Sequence, residues 1–190
     1  YLQICDYQNS YENLCRAGEI FAQLNDREEE LNILFLQGKF WFILGGIDQL
    51  KKIIEQYEYY SLTLEGLSEK LRLNLDYLRL LIIFMESKGF EDKKAVMALI
   101  EKANKEGENV LATEIIFLLI EDLTGKKKFS EAIELLNDID LVNYIQENII
   151  FRAQREYLLG KIAYHTQYEN LKSPIEYFEQ AYYLLEEESI

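Results

Sequence analysis

Proline is almost absent from this chain. Its 190 residues include one proline, Pro174, where average usage of about 5% would give roughly nine. Because proline interrupts helices, its rarity favours long helices joined by short connections. Apolar residues recur at helical spacings in four segments, which begin at Leu50, Val96, Phe129 and Ile175. No segment alternates in the manner of a strand, so the sequence predicts an all-α fold.

Signals for helix ends divide the chain into about nine helices. Glycine favours helix C termini, and apolar runs are followed by Gly45, Gly46, Gly89, Gly107 and Gly125. Asp26 and Ser173 each begin a capping box with a glutamate three residues on, and Pro174 occupies a first helical position. The predicted helices are about 2–24, 26–44, 47–60, 66–88, 91–105, 109–124, 129–138, 141–166 and 173–188. Short connections between them predict antiparallel hairpins.

The charge and the cysteines restrict the partners and the compartment. The formal net charge of −14 disfavours nucleic acid, because phosphate binding needs clustered Lys and Arg. Acidity keeps a protein soluble, and it also suits a basic protein or peptide as partner. Cys5 and Cys15 are too few for a disulfide framework and indicate a reducing cytoplasm. No segment has the length or the basic amphipathic pattern that membrane binding requires.

Two similar stretches contain a Gly-Lys pair, "LQGKFWF" at 36–42 and "LLGKIAY" at 158–164. A phosphate-binding loop needs earlier glycines, a following Ser or Thr and a preceding strand, and neither stretch has them. Gly38 and Gly160 are therefore predicted to lie inside helices, at points where a neighbouring helix approaches closely. The lysine of each pair is predicted to point outward.

Catalytic and metal-binding patterns are weak. His165 is the single histidine, and neither a turn that holds a nucleophile nor a metal-ligand spacing accompanies it. Lys126, Lys127 and Lys128 form one basic run in a predicted turn. The tyrosine-rich stretches at 57–60 and 177–183 fit either core packing or a binding surface. We expect no enzyme activity, no cofactor and no metal.

The shorter predicted helices begin alike, with "GIDQLKKII", "FEDKKAVMALI", "FSEAIELL" and "SPIEYFEQA". Their first inward positions are Leu50, Ala95, Ala132 and Pro174, which are 45, 37 and 42 residues apart. A period of about 20 to 50 residues indicates a solenoid, in which each hairpin buries its apolar faces against the next.

These units resemble the tetratricopeptide repeat, which places Leu-Gly and an aromatic residue in its first helix and Ala, a large apolar residue and Ala in its second. The last unit matches at Leu159, Gly160, Tyr164, Phe178 and Ala181, and an earlier unit matches at Gly38, Trp41, Gly45 and Ile54. The unit around Phe129 and Ala132 matches in its second helix, and the unit around Gly89 and Ala95 matches least. The period is longer than the usual 34 or so, and Leu50 and Pro174 stand where Ala is typical.

The resemblance implies a right-handed α-solenoid of antiparallel helix hairpins that forms a single domain over 1–190. Its repeats would cover approximately 26–60, 66–105, 109–138 and 141–188, after an extra N-terminal helix at 1–24. The family's function would make it a non-catalytic scaffold that holds a peptide or helix of a partner protein in a groove lined by the first helices. By position, the groove residues would be Asn32, Lys39, Asp76, Arg79, Glu114, Glu121, Gln154, Tyr157 and Lys161.

Two alternatives to a free-standing scaffold remain. Such arrays also serve as structural or regulatory arms of large bacterial signalling or transcription-regulator proteins, and a helical enzyme is a third hypothesis. The chain begins with Tyr1 rather than Met, which we interpret as a fragment of a longer protein. The last predicted helix carries an apolar stripe of Ile175, Phe178, Ala181, Tyr182 and Leu185, with Tyr177 and Tyr183 beside it. A stripe of this kind predicts self-association through the C-terminal helix.

Overall fold

The computed structural model describes residues 7–64, 66–138, 144–146, 148–166 and 171–187. Within these ranges the chain forms helices and no strand, which confirms the predicted all-α class. The helices are α1 (Tyr7–Leu24), α2 (Arg27–Ile43), α3 (Ile47–Ser61), α4 (Glu69–Ser87), α5 (Lys93–Lys105), α6 (Asn109–Gly125), α7 (Phe129–Leu136), α8 (Ile149–His165) and α9 (Pro174–Glu187). None of them combines the length and the apolar character needed to cross a membrane.

Helices α4, α5 and α8 each begin at least two residues later than predicted, because a polar side chain caps each of them. Helix α8 starts at 149 rather than 141, since the Asn148 side chain accepts a hydrogen bond from the Phe151 N–H at 3.1 Å. Ser68 caps α4 and Asp92 caps α5 in the same manner. Ser, Asp and Asn are favoured at this position because they satisfy N–H groups that have no partner within the helix. Residues 141–143 and 147 of the predicted helix lie outside the described residues.

The capping box at the start of α9 forms as predicted. The Ser173 N–H donates to Glu176 Oε2 at 2.8 Å, and the Glu176 N–H donates to Ser173 Oγ at 3.3 Å. Hydrogen bonding of the Glu176 carboxylate by the Ser173 side chain, and by the Ser173 N–H, lowers the pKa of this carboxyl. Pro174 is the first helical residue, where its missing N–H removes no hydrogen bond. The turn after α6 differs from the prediction, because Lys127 rather than Gly125 adopts the left-handed conformation, with φ 61°.

Contacts within the chain divide it into two compact units, Tyr1–Ala112 and Thr113–Ile190. In the first unit α2 and α4 run parallel. The ring centroids of Phe35 and Tyr77 are 6.0 Å apart, and those of Phe42 and Phe84 are 6.1 Å apart, so the same order is followed along both helices. Helix α3 packs against both of them. Helix α3, which connects the parallel helices α2 and α4 in the sequence, therefore also packs against both of them.

Helix α3 runs antiparallel to α4. Lys51 near its start pairs with Glu86 near the end of α4 at 2.6 Å, and Glu58 near its end pairs with Arg79 at 2.5 Å. The fully buried Tyr57 reinforces this contact, because its hydroxyl donates to the Leu71 carbonyl oxygen at 2.8 Å. Burial raises the pKa of the Tyr57 phenol well above its usual range, since ionisation there would place a charge in an apolar environment.

Gly38 lies where α2, α3 and α4 meet. A β-carbon at this position would stand 2.5 Å from a Leu78 methyl carbon and 3.3 Å from one of Leu50. Leu50 and Leu78 have no exposed surface. The residue of the first Gly-Lys pair is thus a close-packing position inside a helix, as the sequence predicts.

The second unit repeats this pattern of directions. Helix α7 is antiparallel to α8, because Phe129 at its start stacks on His165 with ring centroids 6.3 Å apart, while the Leu136 carbonyl oxygen at its end accepts from Arg155 Nε at 3.0 Å. Helices α6 and α8 run parallel, with Phe117 near Phe151 at 5.8 Å between ring centroids and the next contact further along both helices. Each unit therefore contains two parallel helices and an antiparallel connecting helix.

The face that α9 turns toward α8 differs from the predicted stripe. Tyr177 and Ala181 are buried, although Tyr177 was expected beside the stripe. Ile175 and Tyr182 are 68% and 58% exposed. The helical spacing therefore identifies the apolar residues of α9 correctly, but the inward face is centred about one residue position away from the predicted one.

Candidate binding surface

Three of the predicted groove residues come together on α6 and α8 in the second unit. The Lys161 ammonium lies 3.8 Å from a Glu121 carboxylate oxygen and 5.5 Å from the centroid of the Tyr157 ring. Tyr157 and Lys161 are four residues apart, so they share one face of α8. Tyr157 is 47% exposed. The parallel packing of two helices thus presents a cation, an anion and an aromatic ring side by side.

The two other predicted residues of this unit extend the same helices. Gln154 is half-buried and lies three residues before Tyr157 on α8, which places it on the same face. Glu114 is half-buried and lies on α6, seven residues before Glu121, which is about two helical turns. The predicted set therefore follows α6 and α8 over about two turns each.

A cavity of about 320 Å³ adjoins this surface at the turn between α6 and α7. It is lined by Glu121, Thr124, Gly125, Lys127, Phe129, Lys161 and His165. The stacked rings of Phe129 and His165 form one wall, with 14° between their planes. The Thr124 hydroxyl donates to the Ile120 carbonyl oxygen at 2.8 Å, so it contributes mainly its methyl group to the cavity.

The charges in this cavity come from two parts of the sequence. Lys126 pairs with Asp122 at 2.9 Å and Lys128 pairs with Glu131 at 3.6 Å, whereas Lys127 lies between them and lines the cavity. Lys127 and Lys161 supply two ammonium groups against the single carboxylate of Glu121. Such a cavity suits a hydrogen-bond acceptor such as a peptide carbonyl or a carboxylate.

The cavity residues Lys127, Phe129 and His165 were not among the predicted groove residues. Lys127 belongs to a basic run in a turn, Phe129 fits the apolar face of α7, and His165 stands at a helix end. Each pattern has an ordinary structural interpretation. These three residues lie close together in the folded chain because α7 packs antiparallel to α8.

The predicted groove residues of the first unit separate into two pairs. Asn32 and Lys39 are half-buried on α2, and the Lys39 ammonium lies 5.5 Å from the Phe35 ring centroid. On α4, Arg79 pairs with Glu58 of α3, and Asp76 lies 3.8 Å from Lys102 of α5. Helix α4 turns Tyr77 and Phe84, not this charged side, toward α2. Asp76 and Arg79 therefore join ion pairs with α3 and α5 rather than the α2 pair.

In the described part of the chain, no group of three or more His, Cys, Asp or Glu side chains is placed to hold a metal ion. No protein-family model, no curated protein and no solved structure matches the chain. The class that the described residues define is an all-α protein.

Proposed function

We propose that this protein is a non-catalytic scaffold, a right-handed α-solenoid of tetratricopeptide-like hairpins that binds a peptide or helix of a partner protein. The repeated directions of its helices support this proposal. In each unit, alternate helices are parallel and the connecting helix is antiparallel, which is how a stack of hairpins is built. The close-packed glycines at 38 and 160 occupy the first helices of two such hairpins.

The observation that carries the proposal is the cluster of Tyr157, Lys161 and Glu121 on the parallel helices α6 and α8. An exposed tyrosine gives a large apolar contact with a polar tip, and such residues dominate the energetics of protein interfaces. Lys161 and Glu121 can respectively donate to and accept from the backbone of a bound segment. The adjoining cavity at Lys127 would receive a carbonyl or acidic side chain, while the overall charge of −14 favours a partner that is otherwise basic.

Selection from a random peptide library, followed by fluorescence anisotropy of the selected peptides, tests this proposal. Tyr157→Ala and Lys161→Glu should each weaken binding by about tenfold or more, as expected for residues at the centre of an interface. Lys52→Glu is the matched control, because Lys52 is exposed on α3 in the other unit and the variant makes the same change in charge. Failure to select any binding peptide, or equal loss in all three variants, would contradict the proposal.

A further inference from the structure

A second cavity lies in the first unit, between α1, α2 and α3. Its volume is about 350 Å³, and its lining includes Tyr11, Glu19, Glu30, Ile33, Ile53 and Tyr60. Helix α1 contributes the small residues Cys15, Gly18 and Ala22 from the side that faces α2. Because these side chains are short, a gap remains between α1 and the helices α2 and α3, which larger side chains would fill.

Glu30 is the buried acid of this cavity. It is 4% exposed and stands in the first turn of α2. One carboxylate oxygen, Oε2, forms an ion pair with Arg27. The other oxygen, Oε1, is withdrawn from solvent and has no hydrogen-bond partner among the described residues. A buried polar atom without a partner is costly, and such atoms are uncommon in folded proteins.

The remaining lining residues favour a positive charge. Two carboxylates, those of Glu19 and Glu30, line the cavity, and no Lys, Arg or His is among its described lining residues. Arg27, which does not line the cavity, pairs with Oε2 of Glu30, so one of the two negative charges is already matched. The rings of Tyr11 and Tyr60 also line it. The Arg27 guanidinium lies 5.0 Å from the centroid of the Tyr60 ring, as expected for an aromatic face that attracts a cation. Side chains of Ile33, Leu34 and Ile53 form an apolar wall along which a methylene chain can lie. The cavity therefore combines an acceptor, aromatic rings and an apolar wall.

We propose that this cavity binds an alkylammonium group, either the side chain of a lysine in a partner segment or a free aliphatic diamine. The ammonium donates a hydrogen bond to Glu30 Oε1, and the methylene chain packs on the apolar wall. An ammonium is a compact donor that suits one available oxygen, whereas a guanidinium prefers both oxygens of a carboxylate at once. This site lies in the first unit, so it is independent of the surface proposed on α6 and α8.

Entry of the ligand requires a small outward movement of α1. Oε1 of Glu30 has almost no contact with solvent, and α1 forms the movable wall. None of the eighteen residues of α1 is buried, so this helix is held less firmly than α2, α3 or α4. Elements with few buried contacts open at the lowest free-energy cost.

Calorimetric titration with 1,5-diaminopentane and with Nα-acetyl-lysine amide tests the proposal. Both probes should bind the full chain if the cavity accepts a lysine within a polypeptide, and binding should raise its melting temperature. Binding of the diamine alone identifies a free amine as the ligand. Nα,Nε-diacetyl-lysine amide, which is uncharged, should not bind. A chain that binds neither amine overturns the proposal.

Substitutions in the cavity test whether the amine binds there. Glu30→Gln should weaken amine binding by about 10- to 100-fold, the effect of losing a hydrogen bond to a charged group. Glu28→Gln is the matched control, because Glu28 is exposed in the same turn and does not line the cavity. Ala22→Leu enlarges an exposed lining residue of α1 and should block binding without touching the carboxylate. If wild type, Glu30→Gln and Ala22→Leu bind the amine equally, the cavity is not its site.

Discussion

Gly160 of α8 lies against the ring of Phe178 of α9 so closely that a β-carbon at position 160 would stand 2.6 Å from Phe178 Cε1. Phe178 in turn lies near Tyr157, with 5.8 Å between the ring centroids. The second Gly-Lys pair of the sequence is therefore a helix-packing position beside the candidate binding surface. A phosphate-binding role for it has no structural support.

Substitution of Gly160 should destabilise the second unit. Gly160→Leu forces Phe178 out of its position, and overpacking of this kind costs about 1–3 kcal/mol. Urea denaturation followed by circular dichroism measures the change. Gly125→Ala is the control, because nothing lies within 4 Å of a β-carbon at position 125.

A double mutant separates this contact from a general effect on the helix. Phe178→Ala removes the ring that the larger side chain would strike, so Gly160→Leu should cost less in that background. Additive effects of the two substitutions would show that residues 160 and 178 are not in contact.

Stability should fall at alkaline pH because of Tyr57. Its pKa is raised in the folded state, so the unfolded chain releases the proton first. The stabilisation is fully present below the unfolded pKa of about 10. It is lost as pH rises above that value, by up to about 1.4 kcal/mol per pH unit.

Comparison with Tyr57→Phe isolates this contribution from that of the other tyrosines and lysines. Near pH 8 the wild type should be more stable by about 1 kcal/mol, because the variant lacks the hydrogen bond to Leu71. Denaturation curves between pH 8 and about 11.5 should show this advantage shrinking. A difference that stays constant over the range would contradict the burial of the phenol.

Removal of residues 1–24 should leave a folded remainder. Helix α1 contacts α2 through Tyr11, which stacks on Phe40 with 5.2 Å between ring centroids, but no residue of α1 is buried. If stability comes from contacts between neighbouring helices, the truncated chain should melt at a lower temperature but keep its helical circular dichroism signal. Loss of the helical signal at room temperature would indicate one shared core instead.

The exposed face of α9 should support self-association. Ile175 and Tyr182 are mostly exposed, and seven residues of separation place them on one face. Light scattering over a concentration series should show a dimer, which Ile175→Glu combined with Tyr182→Glu converts to a monomer. Phe178 is a poorer choice of target, because it also packs on Gly160.

A control for that experiment adds the same charge elsewhere. Tyr59 and Leu62 are exposed at the end of α3, so Tyr59→Glu combined with Leu62→Glu should leave the dimer intact. A wild-type chain that stays monomeric throughout the series would contradict the prediction.

Local signals were enough to predict most of the helices. The capping box at Ser173 follows from side-chain chemistry. The close approach of neighbouring helices at Gly38 and Gly160 follows from the small size of glycine. Both properties can be read from residue identity alone. The start of α8 was missed because Asn148 is the last of three consecutive polar residues, 146–148, and nothing in the sequence marks it as the cap. Its capping role depends on the backbone conformation that it adopts.

Relations between helices were harder to predict. Helical spacing identifies the apolar residues of α9, but the choice between Tyr177 and Ile175 as the inward residue depends on how α8 packs against it. The cavity that joins Lys127 to Lys161 depends in the same way on the direction of α7. The ion pairs that hold Asp76 and Arg79 depend on α3 and α5, which the resemblance alone did not place.

Photo-crosslinking of a selected peptide tests the proposed scaffold function most directly. p-Benzoylphenylalanine placed at position 154, on the α8 face that carries Tyr157 and Lys161, should crosslink to the peptide on irradiation. The same group placed at position 134, which is exposed on α7, should give no crosslink. Unlabelled peptide in excess should abolish the product at 154. Crosslinking from position 134 with none from position 154 would contradict a binding surface on α6 and α8.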